Sequence, residues 1–160
     1  MSKAAQVKAP WLNSRDPEVP ATLTYSELSM CSRVEEMVRR YPDYIAYEFM
    51  GKCTTYAEMW KKINACAKSL KAIGIREGDK VTICMPNAPQ TLCMFYAVNM
   101  VGAIANMVHP LSAESEIAFY LRDSGSVAAI TLDQFYHKFE AIRQNVESLN
   151  NVIIASIKDE

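Results

Sequence analysis

VTICMPNAPQTLCMFYAVNMVGAIANMVHPLSAESEIAFYLRDSGSVAAIT, residues 81–131, alternates between two kinds of apolar pattern, and that alternation decides the fold. Short apolar runs begin at Val81, Ile104 and Val127, with another at Val152, so their starts lie 23, 23 and 25 positions apart. Helical patterns separate them, over Ala88 to Val101, Ala113 to Arg122 and Gln134 to Leu149. A run apolar on both faces belongs to a strand buried on both sides, and strands linked by helices pair in parallel. Right-handed crossovers then fix most of the topology. The units share no residue pattern beyond this change of type, so the cadence is not a sequence repeat. The expected class is α/β: an open, mainly parallel sheet with helices on both faces, preceded by an N-terminal arm, a helix and a short antiparallel hairpin.

Upstream, residues 1 to about 22 carry Pro10, Pro17 and Pro20 and little periodicity. They read as an extended arm whose one large apolar side chain, Trp11, docks on the body. Thr24 with Glu27 has the spacing of a capping box and opens a helix through about Arg40, which Pro42 ends. Tyr44 to Met50 alternates; Gly51 and Lys52 then separate it from Cys53 to Thr55, and the two pieces form the hairpin. Thr55 and Glu58 make a second capping box. Behind it Tyr56, Met59, Trp60, Ile63, Cys66, Ala67, Leu70 and Ile73 form one apolar helix stripe, with Lys61, Lys62, Lys68 and Lys71 on a solvated face. Gly74 stops that helix in a left-handed cap. The chain thus divides into an arm, 1–22, and an α/β part, 23–160.

Seventeen Lys and Arg against 18 Asp and Glu leave a net charge of −1 over 160 residues, which argues against nucleic acid or an anionic membrane as the main partner. Cys31, Cys53, Cys66, Cys84 and Cys93 are odd in number and form no C-x-x-C pair, so they read as buried, reduced thiols of a cytoplasmic protein. His109 and His137 lie 28 positions apart with no cysteine beside them, which is no metal-ligand spacing. Neither a secretory leader nor a transmembrane segment is expected. The longest apolar stretch, Leu92 to Val108, is broken by Asn99, Gly102 and Asn106.

In an open parallel sheet ligands bind beyond the carboxyl ends of the strands, which directs attention to 86–89, 109–112 and 131–133. None of these holds a phosphate loop, and G-x-G-x-x-G, the Walker pattern and G-x-S-x-G are all absent. Asn87 reads as a helix cap in preference to a ligand contact. His109, before Pro110, reads as a turn histidine with no nucleophile or carboxylate in the sequence to orient it. Met94, Met100 and Met107 read as core filler that could line an acyl pocket in a larger protein. Asp43 with Glu48, and Glu114 with Glu116, have nothing to separate their pKa values into an acid and a base. No residue is assigned a catalytic, cofactor-binding or metal-binding role.

The passage KINACAKSLKAIGIREGDKVTICMPN from Lys62 to Asn87, followed by NMVGAIANMVHPLSAESEIAFYLRDSGSVAAIT from Asn99 to Thr131, resembles the start of the adenylate-forming superfamily. That group holds the acyl-CoA synthetases, 4-coumarate-CoA ligases, luciferases and peptide-synthetase adenylation domains. The shared marks are Thr55-Tyr56, Leu70 before Gly74-Ile75, Gly78-Asp79, Pro86-Asn87, Gly102-Ala103, Pro110 and Asp123-Ser124-Gly125, spread over about Leu23 to Ile157. Each has a mechanical role as a cap or turn, so they specify a scaffold and not a reaction.

The resemblance implies a parent enzyme that activates a carboxylic acid with ATP and Mg2+ to an acyl-adenylate and passes the acyl group to CoA or a carrier protein. It also implies a phosphate loop ending in Pro-Lys, an aromatic-Gly-x-Thr-Glu segment, a ribose-binding Asp and a late Lys, none of which occurs in these residues. The chain is therefore expected to be an inactive amino-terminal piece of an AMP-forming acyl-CoA synthetase that acts on fatty acids in its whole form, cut before the phosphate loop. Its partner would be the remainder of that enzyme, and the seam so exposed favours self-association. A sheet that ends on its fourth strand is either edge-shielded by the arm or the first part of something longer. The competing expectation is a stand-alone α/β module that binds without catalysis.

Overall fold

The computed structural model describes residues 9–159. Five α-helices and six strands follow one another as α1 (Met30–Arg40), β1 (Ile45–Phe49), β2 (Lys52–Thr55), α2 (Tyr56–Ala72), β3 (Lys80–Cys84), α3 (Pro89–Val101), β4 (Ile104–Met107), α4 (Glu114–Ser124), β5 (Ala128–Leu132), α5 (Tyr136–Ile142) and β6 (Asn151–Ala155). β3 to β6 form a four-stranded sheet in the order β4-β3-β5-β6, every pair parallel, and β1 with β2 form an antiparallel hairpin. Met50 and Gly51 at the hairpin tip both have positive φ, 51° and 82°, the geometry whose twist matches the flanking strands.

The two faces of β3 and β5 supply two cores. Val81, Ile83, Ala128, Ile130 and Leu132 face α2 and α3, where Ile63, Leu70, Ala97 and Val98 are fully buried or nearly so. Cys84 and Ala129 face α4 and α5, packed with Ile117, Leu121 and Phe139. Polar strand residues on the second face are satisfied: Thr82 Oγ1 and Ser126 Oγ lie 2.8 Å apart, and Asn106 Nδ2 donates to Thr82 Oγ1 at 3.0 Å. That network explains why the asparagine interrupting the apolar run is tolerated, since a buried polar group is costly only when unpaired. β4 and β6 are the sheet edges, so the burial expected on both faces of every run stops there. Ile104 is 52% exposed and Ile154 49%.

α2 starts as its sequence dictates. Thr55 Oγ1 accepts from Glu58 N at 3.3 Å while the Glu58 carboxylate accepts from Thr55 N at 2.9 Å, and these bonds hold that carboxyl below its ordinary pKa. Gly102 ends α3 with φ +84°, and an added Cβ would lie 3.0 Å from Glu77 Cγ. Gly102→Ala is expected to lose about 1–2 kcal/mol of stability from the left-handed conformation alone, measured by urea unfolding.

Four expectations need correction. The Thr24–Glu27 capping box does not form. The helix begins at Met30, with Ser29 Oγ accepting from Ser32 N at 3.1 Å. Tyr25, 80% exposed, and Leu23 have nothing to pack against, and an unpacked helical turn is not self-sustaining. Trp11 lies in a 3-10 turn (Pro10–Ser14) and is 67% exposed, so it does not dock on the body; residues 1–8 of the arm lie outside the described residues. The helix expected over Gln134 to Leu149 is only α5, flanked by 3-10 turns at Asp133–Phe135 and Arg143–Asn145, while Val146 and Leu149 reach the core from irregular chain. Cys31, Cys84 and Cys93 are buried, as expected, but Cys66 is half-buried and Cys53, on the solvent side of the hairpin, is exposed.

Candidate functional site

The connections leaving β3, β4 and β5 meet at the carboxyl ends of those strands around a crevice of about 510 Å3. The chain passes from β3 outward to β4 and then back across to β5, so this is the point where the strand order reverses, the general location of ligand sites in open α/β sheets. Met85, Pro86 and Asn87 come from the first connection, Met107 to Leu111 from the second, and Gln134 and Phe135 from the third.

Asn87 is exposed and does not cap α3. The N-cap is Ala88, with no side-chain bond, and Pro89 occupies the first turn. Thr91 Oγ1 donates to Pro86 O at 2.6 Å instead, so the helix start is tied to the strand end from inside the helix. Asn87 is thereby left facing the crevice. His109 is an exposed turn residue and also lines it; its Nδ1 accepts from Leu111 N at 3.2 Å, and its carbonyl accepts from Ser112 N at 3.1 Å. Met107 lines the crevice beside it, whereas Met94 and Met100 are half-buried against the α2–α3 core. Gln134 and Phe135 were not singled out by sequence, because the fifth strand's site-facing residues fall one turn later than the strand end. Lys138 was missed as well: its Nζ donates to Pro110 O and Ser112 O from α5.

The crevice offers three hydrogen-bonding side chains, Asn87, His109 and Gln134, on an apolar wall of Met85, Met107 and Phe135. No carboxylate, lysine or arginine lines it, so it lacks the fixed charge that would stabilise a reacting phosphate. Among the described residues no group of three or more His, Cys, Asp and Glu could hold a metal ion, and no helix is long and apolar enough to cross a membrane.

Beneath the crevice, burial pushes the Cys84 thiol up to about 11 from an ordinary 9.0, partly countered by the charge of Lys138. Cys31 is raised too, by burial and by Glu35. A folded-state pKa above the unfolded one means the native protein holds its proton while the unfolded chain has lost it. Cys84 therefore stabilises the fold fully below about pH 9, and that contribution is lost as pH rises to about 11. The drop in melting temperature between pH 8.5 and 11 is expected to be smaller in Cys84→Ala than in the parent chain.

A parallel sheet, covering helices and a crevice at the carboxyl ends of the strands define an open α/β scaffold. Residues 34–160 match the family model described as AMP-binding enzyme, and the chain belongs to that family. A long-chain-fatty-acid–CoA ligase of Bacillus subtilis (strain 168) is 32% identical over 155 residues, which take in 96% of this chain and 27% of that protein. The long-chain-fatty-acid–CoA ligase FadD13 of Mycobacterium tuberculosis (strain ATCC 25618 / H37Rv) is 42% identical over 76 residues, 48% of this chain and 15% of the relative. Among solved structures, the inhibitor-bound N-terminal domain of FACL13 from Mycobacterium tuberculosis superposes with a TM-score of 0.75 at 31% identity, covering 78% of this chain and 33% of the other. The chain spans roughly a quarter of the length of the curated relatives that match nearly all of it, 27% and 28% of two such proteins.

Proposed function

We propose that this chain is the amino-terminal α/β part, an arm over 1–22 followed by 23–160, of an AMP-forming fatty acyl-CoA ligase located in the cytoplasm. The whole enzyme activates a fatty acid with ATP to an acyl-adenylate, releasing pyrophosphate, and passes the acyl group to the thiol of CoA. The observation that carries this reading is the alignment of 96% of the chain with 27% of a long-chain-fatty-acid–CoA ligase.

The residues present do not fit ATP or Mg2+. The crevice has no cation to meet a triphosphate, and no acidic cluster among the described residues would hold the metal. Adenylation needs preorganised charge around the phosphates, so that part of the chemistry belongs to polypeptide beyond these residues. What this chain contributes is a wall: the largely apolar crevice, free of carboxylates, lysines and arginines, binds and orients an uncharged stretch of ligand.

A second surface fits the same reading. Beside edge strand β6, Cys66, Met94, Ile153 and Ala155 line an apolar groove of about 330 Å3, to which none of residues 9–22 contributes. The remainder of the enzyme covers it, and the isolated chain self-associates through it. The test is the polypeptide encoded by the native reading frame past Glu160. It should contain a Ser/Thr/Gly-rich loop ending in Pro-Lys, and it should release AMP from ATP when given a long-chain fatty acid and CoA. A stop codon directly after Glu160 overturns the reading.

A further inference from the structure

We propose that Lys138 is a positioning residue, whose ammonium group holds the His109–Ser112 turn so that His109 presents Nε2–H as a hydrogen-bond donor to the crevice. This rests on the crevice being a ligand site. The residue acts through the backbone of the turn and touches no ligand itself.

Lys138 stands on α5 and is not among the residues that line the crevice. Its Nζ donates to Pro110 O at 2.9 Å and to Ser112 O at 2.8 Å, and it lies 5.9 Å from the centroid of the Phe135 ring. An ammonium has three donors, and two are spent on carbonyls of a single turn. The ion pairs among the described residues are Arg33–Glu36 and Arg39–Glu35, so Lys138 is held by backbone carbonyls and a ring face without a carboxylate. Lysine more often extends its charge into water along an apolar stem, and a half-buried one used this way points to a specific geometric task.

The task follows from the planarity of one peptide. Pro110 C=O and Leu111 N–H belong to the same trans unit and point in opposite directions. Holding Pro110 O toward α5 therefore aims Leu111 N–H away from it, and its acceptor is His109 Nδ1 at 3.2 Å. A ring nitrogen that accepts a hydrogen bond carries no proton, so the neutral imidazole must carry its proton on Nε2. A cation on the carbonyl also polarises the peptide and strengthens the N–H as a donor. Two further bonds fix the other end of the turn. Ser112 N–H donates to His109 O at 3.1 Å and the Cys84 thiol to the same oxygen at 3.8 Å. The ligand group that answers an Nε2–H is an uncharged acceptor oxygen such as a carbonyl.

Long-range proton–nitrogen NMR of the 160-residue chain at pH 8 reads which ring nitrogen carries the proton, with a blocked histidine peptide as reference. The parent chain should show His109 as the Nε2–H form. In Lys138→Met its spectrum should move to that of the reference peptide, and exchange of the Leu111 amide should rise roughly tenfold while that of Leu121 stays unchanged. Lys138→Arg, which keeps charge and donors, should restore both. A merely structural lysine would change all amides together with the melting temperature and leave the tautomer alone, and that result overturns the proposal. Should Lys138→Met fail to fold, the parent spectrum still decides, because an Nδ1–H form of His109 contradicts the geometry outright. Absence of ligase activity in the longer protein would bear on the functional reading only, since this spectrum does not depend on it.

Discussion

Phe139→Ala is expected to remove about 3–5 kcal/mol of folding stability, a large share of what a domain of this size has. Phe139 is fully buried on α5, and it is the largest side chain in the cluster that joins α4 and α5 to the sheet through Cys84, Ile117, Leu121 and Ala129. α5 is only seven residues long, too short to hold itself together, so its position depends on what its apolar face buries. Urea unfolding with an unchanged m-value and a lower midpoint is the expected result. A loss below about 1 kcal/mol would mean that this face of the sheet is not a close-packed core.

Ile63→Ala is expected to cost about 2–5 kcal/mol from the opposite face. Ile63 lies on α2, fully buried with Leu70, Val81, Ile83 and Ile130, and shares no cluster with Phe139. Because the two side chains have no common partner, their effects should add to within about 0.5 kcal/mol, and the double variant should populate the unfolded state at 25 °C. Strong non-additivity would indicate that the sheet transmits strain between its faces. Both experiments bear on the functional reading, since the crevice is built where strands held between these two cores end.

The parallel sheet was legible because strands buried on both faces leave an apolar signature that no amphipathic helix shares. α2 was legible because Thr55 and Glu58 act within one turn of chain. Thr24 and Glu27 have the same spacing, but the helix behind them starts only at Met30 under the Ser29 cap while Leu23 and Tyr25 stay exposed, which only the assembled fold reveals. Asn87 lost its expected role because Pro89 and Thr91 organise the start of α3 without it. His109 was visible as a residue at a strand end, yet its orienting partners were not. They are a backbone amide two residues on and, through the peptide, a lysine 28 positions beyond Pro110, contacts that follow from topology rather than from local pattern. Gln134 and Phe135 escaped notice for a related reason, since the 3-10 turn after β5 carries the site-facing positions past the strand end.

Membership in the AMP-binding family is carried by the scaffold, whereas charge stabilisation of a reacting triphosphate is missing from the crevice that this scaffold builds. The most direct test is pyrophosphate release from ATP, Mg2+ and a long-chain fatty acid, measured on the purified 160-residue chain beside the longer protein encoded by its reading frame. The expected result is release by the longer protein and none above the no-enzyme blank by the 160 residues; turnover by the short chain alone would contradict the account.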